Sequence, residues 1–149
     1  MSKQNSWPAL IQLAGDTTDK AAQQLQILLS ERRQAGEQMD ALQSYRDDYE
    51  NRLQMAASQG ISTANYHNFR QFIGTLDEAI SQQNKVIIQL DARVERGFAQ
   101  WREEKRRLRS YEALRDRMLQ ERKLQANRNE QRASDELSAN LHRRVRSSY

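Results

Sequence analysis

Apolar residues recur every seven positions through the first third of the chain: Trp7, Ala14, Ala21, Leu28, Ala35, Leu42, Tyr49 and Ala56. A short break follows at Ser58, Gln59, Gly60, Ile61 and Ser62, and a second ladder runs through Ile73, Ile80, Ile87, Val94, Trp101 and Leu108. Sustained seven-residue spacing marks helices that supercoil on a partner helix. Two ladders joined by a glycine-containing break predict an all-α fold, a long two-helix antiparallel coiled-coil hairpin whose second helix is longer than the first. The expected layout is a single coiled-coil domain over residues 1–149. Helix one covers about residues 8–57, the turn about 58–62, helix two about 63–140, and a frayed basic tail about 141–149.

Each ladder has a companion column. In helix one, Leu25, Met39 and Leu53 fill it, while Arg32 and Arg46 interrupt it. In helix two it holds Phe69, Leu76, Gln83, Leu90, Gly97, Glu104, Tyr111 and Met118. Ser6 suits the first helix cap, Gly60 the left-handed residue past a helix end, and Ser62 or Thr63 the next cap. Reflection about Gly60 sets Leu10 opposite residue 110, so helix one spans roughly 75 Å and the unpartnered end of helix two roughly 45 Å. Beyond Leu108, Arg115 and Arg122 stand where apolar residues stood before.

Near the turn there are more apolar residues than one seam needs. Gln38, Leu42, Tyr45 and Tyr49 make one stripe on helix one, and Phe72, Leu76, Ala79 and Gln83 repeat its spacing on helix two. A wide core at a flared tip and an exposed groove for a partner protein both fit this doubling.

Composition narrows the chemistry. Charged residues make up 30% of the chain and hydrophobic residues 37%, with a mean hydropathy of -1.01, too polar for a thick core. There is no cysteine, and hence no thiolate chemistry or disulfide. No secretory signal is visible at residues 1–6, and the longest strongly aliphatic run, Val86 to Ile88, is far short of a membrane span. His67 and His142 lie too far apart to share a metal, and the glycine at Gly15 lacks the second glycine of a phosphate loop. The expectation is therefore a non-enzymatic protein without cofactor.

Charge is uneven. Residues 1–92 carry 8 Lys/Arg against 11 Asp/Glu, and residues 93–149 carry 16 against 9, or +7. The densest run, Arg102 through Arg109, has acids interleaved. It fits a solvated coiled-coil flank first, an acidic protein surface second and nucleic acid third.

The segments Tyr45 to Tyr49, Asn68 through Ile80 (with Phe69, Gln71, Phe72, Ile73, Thr75 and Leu76) and Trp101 through Leu108 resemble the FliJ family of flagellar type III export. Length, the break near residue 60 and the basic tail agree with it. The resemblance implies a cytoplasmic protein, peripheral at the inner face of the membrane at the flagellar base. It implies a two-helix antiparallel coiled coil similar to the central stalk of rotary ATPases, and the hairpin reading itself predicts a monomer. Its implied partners are the hexameric ring of the export ATPase FliI, the export gate FlhA, and export chaperones such as FlgN and FliT, with FliH as a further candidate and no nucleic acid. The family's gate-binding positions match Gln38, Leu42, Tyr45, Tyr49, Phe72, Leu76 and Ala79, and shift the reading of the double stripe towards a groove. Gln83 departs from the pattern, which has histidine there. For the ATPase contact the expectation rests on shape: the basic stretch with Arg102, Lys105, Arg106, Arg109, Arg115 and Arg122. A basic coiled-coil nucleic-acid binder and a structural spacer are the rival readings.

Overall fold

The structure is a computed structural model and describes residues 6–148. It consists of two helices packed against each other, α1 (Trp7–Gln59) and α2 (Thr63–Ser147). The Ser6 carbonyl accepts the Leu10 N–H at 3.0 Å, which opens α1, and Pro8 falls where a helix N–H has no intrahelical partner. Gly60 ends it with φ at 92°, a left-handed conformation that a side chain would strain. The Ser62 hydroxyl then accepts the Asn65 N–H at 3.2 Å and caps α2. The second helix is the longer, 85 residues against 53. It remains helical to Ser147, where a frayed tail was expected from about residue 141.

The helices' contacts among the described residues fall into two compact units, residues 17–104 and residues 6–16 with 105–148. In the first, the buried apolar side chains are Ala21, Leu25, Ala35 and Leu53 of α1 and Ile73, Leu76 and Leu90 of α2. All of them stand in the ladders or companion columns, as heptad packing requires. Gly97 stands there too. An added Cβ would lie 3.2 Å from Leu25 Cδ1 and 3.3 Å from Leu28 Cδ1, so its bare backbone lets α1 approach.

Polar cross-ties fill the gaps in these columns. Arg32, which interrupts the α1 companion column, donates from Nε to Asp91 of α2 at 2.6 Å. Arg46, fourteen positions on, pairs in the same way with Asp77. The hydrogen bond to Asp77, and then its charge, raises the Arg46 pKa above the usual guanidinium value. Between them, Gln83 donates to the Ala35 carbonyl at 2.9 Å and to Gln38 Oε1 at 3.2 Å. All these pairs lie nearly symmetrically about Gly60, so the two helices are antiparallel.

In the second unit the Trp7 ring meets Tyr111 edge-on, with centroids 6.4 Å apart, and Ala14 is buried. From Leu119 through Ser147 every residue of α2 is exposed.

The glycines separate helix propensity from packing. A Cβ at Gly74 meets nothing within 4 Å. Gly74→Ala should therefore stabilise the fold by roughly 0.5–1 kcal/mol in urea unfolding followed by helical circular dichroism. Gly97→Ala gains the same propensity but must push Leu25 and Leu28 aside, so it should be neutral or destabilising. An equal gain at both positions would show that α1 does not depend on close approach at Gly97.

Candidate functional site

Near the turn, within residues 17–104, the two stripes meet through rings. Tyr49 projects from α1 and Phe69 and Phe72 from α2. The Tyr49 centroid lies 4.4 Å from that of Phe72 and 6.3 Å from that of Phe69, both tilted. Such pairs contribute about 0.5–1.5 kcal/mol beyond their buried area and hold the rings in place. Arg52 lies over the Tyr49 ring at 5.2 Å and Arg70 over Tyr66 at 5.9 Å. Tyr49, Phe69 and Phe72 line an open cavity of about 290 Å³ with Asn65 and Asn68.

The seven residues matched to the gate-binding pattern divide by exposure. Tyr45 is 60% exposed and Phe72 43%, and Gln38 is also exposed. Leu42, Tyr49 and Ala79 are half-buried. Leu76 is only 8% exposed and belongs to the core, because it shares the companion column of Phe69 and Leu90. Gln83 is half-buried, and its amide is committed to Ala35 and Gln38 rather than to solvent. The surface the stripes present is thus an aromatic ridge of Tyr45, Tyr49 and Phe72, while Leu76 is buried in the core. Asn65 and Asn68 were not among the expected site residues. Their spacing from Phe69 and Phe72 along one helix face was the signal that could have found them.

The basic segment divides between the units. Arg102 lies in the first and is exposed. In the second, Arg106, Arg109 and Arg122 are exposed, while Lys105 and Arg115 are half-buried. Arg115 bonds the adjacent Asp116 at 3.2 Å. Arg115 and Arg122 flank an apolar cavity of about 290 Å³ formed by Trp7, Pro8, Met118 and Leu119. Here α1 begins and the seam of α2 loses its cover. His67 and His142 are both exposed, and among the described residues no three His, Cys, Asp or Glu side chains cluster as metal ligands. No helix there is long and apolar enough to cross a membrane.

Comparison with known proteins adds a family. A family profile described as flagellar FliJ protein matches residues 8–147. The chain is 32% identical over 138 residues to a flagellar FliJ protein of Salmonella typhi, covering 93% of this chain and 94% of that one. It is 34% identical over 127 residues to a flagellar FliJ protein of Escherichia coli (strain K12), covering 83% and 86%. A solved structure described as a YscO homologue from Chlamydia trachomatis has the same fold. Its TM-score is 0.51 at 12% identity, over 98% of this chain and 94% of that one.

Exposure separates support from surface in a way that stability can read. Leu76→Ala should cost about 2–4 kcal/mol, since it opens a cavity in a narrow core. Tyr45→Ala should cost less than about 1 kcal/mol, since its ring is mostly in water. Comparable losses in chemical denaturation would place Tyr45 in the core and remove it from the ridge.

Proposed function

The chain belongs to the flagellar FliJ protein family, and from that premise we propose that it is an adaptor of the flagellar export apparatus with two separate contact surfaces. The aromatic ridge of Tyr45, Tyr49 and Phe72 is the contact to the export gate FlhA. The basic segment carrying Lys105, Arg106, Arg109, Arg115 and Arg122 is the contact to the ring of the export ATPase FliI, with Arg102 beside it. In this reading the chain supplies no catalytic group. It raises ATPase turnover by favouring assembly of the ring, whose own subunits hold the reacting groups. The export chaperones FlgN and FliT, and FliH, belong to the same assembly, and the chain works as a monomer, cytoplasmic and held at the membrane face through partners.

One observation carries the gate contact: two exposed rings, Tyr45 and Phe72, stand outside a seam that is already filled by Leu53, Ile73 and Leu76. Tyr45 stands mostly in water, and Phe72, packed on the Tyr49 ring, still keeps 43% of its surface exposed; surface aromatic rings suit interface anchoring, because they bury much area for little lost rotamer freedom. The charge supports the ATPase contact. Residues 105–148 carry 13 Lys/Arg against 6 Asp/Glu, an excess of +7. The same excess would attract nucleic acid. However, Glu103, Glu104, Glu112 and Asp116 interrupt the basic run and would face phosphates as like charges.

The two contacts are tested separately. Tyr45→Ala with Phe72→Ala should weaken binding of the soluble domain of FlhA by at least about tenfold, with helicity retained. Unchanged binding would remove the ridge from the gate contact. The wild-type chain should raise ATP turnover by the matching FliI, and no rise at high excess would end the ATPase reading. A gel-shift titration that showed tight, steeply salt-dependent binding to DNA or RNA would favour the nucleic-acid reading instead.

A further inference from the structure

The cavity beside the aromatic ridge has polar groups that the fold does not use. Tyr49, Phe69 and Phe72 give it apolar walls, and Asn65 and Asn68 line it from α2, three positions apart. Both asparagines are exposed, and neither side-chain amide has a hydrogen-bond partner among the described residues. Asn65 takes part in the Ser62 cap through its main-chain N–H alone. Each amide carries donors and an acceptor. Asparagine is also one of the poorer helix formers, so helix α2 gains nothing from either residue.

We propose that this cavity takes one apolar side chain from an extended segment of the export gate, and that the Asn65 and Asn68 amides hydrogen-bond the main chain of that segment. This rests on the reading of the ridge as the gate contact, and adds two binding residues and the form of the segment they hold. Sites that bury a whole small molecule measure about 300–1,000 Å³. At about 290 Å³ and open to solvent, this cavity has room for a single side chain. Side chains three apart on a helix have Cβ atoms about 5–6 Å from each other. An extended chain presents an N–H and a C=O on the same edge at every second residue, about 6.6 Å apart. The two amides therefore match two successive main-chain donor–acceptor pairs. A helical partner offers no such pairs, because its main-chain groups are bonded internally. The same constraint disfavours a second copy of this chain: residues 7–59 and 63–147 are helical, which leaves only the short turn with open main-chain groups. Tyr49 and Phe72 belong to both the ridge and the cavity, so the two form one continuous surface.

Binding of the soluble domain of FlhA is compared for the wild-type chain, Tyr45→Ala, and Asn65→Ala with Asn68→Ala. The asparagine pair should bind about tenfold or more weakly. Its thermal midpoint should stay equal or rise, since alanine is the better helix former. Weaker binding with a lowered midpoint would make the asparagines structural and overturn the inference. Tyr45 does not line the cavity, so Tyr45→Ala reports on the ridge by itself. Loss of binding in Tyr45→Ala with none in the asparagine pair overturns this inference and leaves the ridge reading standing. Loss in the asparagine pair alone supports this inference and removes Tyr45 from the contact. A wild-type chain that does not bind the domain overturns both. Overlapping blocked ten-residue peptides spanning the same domain are then titrated against the full chain. One should bind the wild type in preference to the asparagine pair, and N-methylation of its main chain should weaken it about tenfold. The absence of any such peptide, binding indifferent to N-methylation, or a gain of helicity in the bound peptide overturns the inference.

Discussion

The fold depends on α1 and α2 meeting in one register across a very thin core. No large side chain is fully buried among the described residues, and the buried set is mostly single leucines, isoleucines and alanines. Apolar columns with a seven-residue repeat cannot choose between registers that differ by seven, since each slip puts apolar against apolar again. The cross-ties can. In the observed register Arg32 meets Asp91 and Arg46 meets Asp77. A slip of one heptad in one direction would set Arg32 against Asn84 and Arg46 against Arg70. In the other it would set them against Phe98 and Asn84. Each surface pair contributes only about 0–1 kcal/mol to stability, so the pairs act mainly by making the wrong registers worse. The turn at Gly60 and the amide of Gln83 favour the same register.

This explains which parts of the structure were legible in the sequence. The start of α1, the Gly60 stop and the Ser62 cap follow from local chemistry that acts over a few residues, whereas the end of α2 at Ser147 lies past the expected residue 140. The antiparallel pairing follows from two ladders of matching period. Arg32 and Arg46 looked like defects in a column because spacing treats long cations as polar and says nothing of their reach. Their reach to Asp91 and Asp77 turns the defects into ties. Gln83 behaves likewise: it departs from the family pattern, and in three dimensions its amide is taken up by the opposite helix.

Leu76 shows where stripe reasoning loses resolution. Two residues on one helix stripe can differ by a fraction of a turn, and that fraction decides between core and solvent. Phe72 and Leu76 share a stripe, yet Leu76 faces the seam at 8% exposure while Phe72 stays at 43%. The division has a functional consequence. A side chain in the core fixes the backbone from which its exposed neighbours project, so truncating Leu76 would disturb the ridge without Leu76 touching a partner. Tyr49 joins both roles, half-buried against Phe69 and Phe72 while open at its edge to the small cavity.

The end of α2 obeys a different balance. A helix that buries no apolar face keeps only propensity and local side-chain pairs, and such helices are marginal in water. From Leu119 on, α2 has those alone: Gln125 reaches Asn129 at 3.5 Å and Gln131 reaches Asp135 at 3.3 Å, both long for hydrogen bonds. Its stability therefore lies toward the local-opening end of the range. Any partner that buried this stretch would supply the missing term, and part of its binding energy would be spent in holding the helix formed. Affinity for this stretch is thus coupled to its helicity. Substitutions past Leu119 that raise helix propensity would therefore stabilise this stretch directly, whereas the ridge near the turn, held by a filled seam, gains nothing from them.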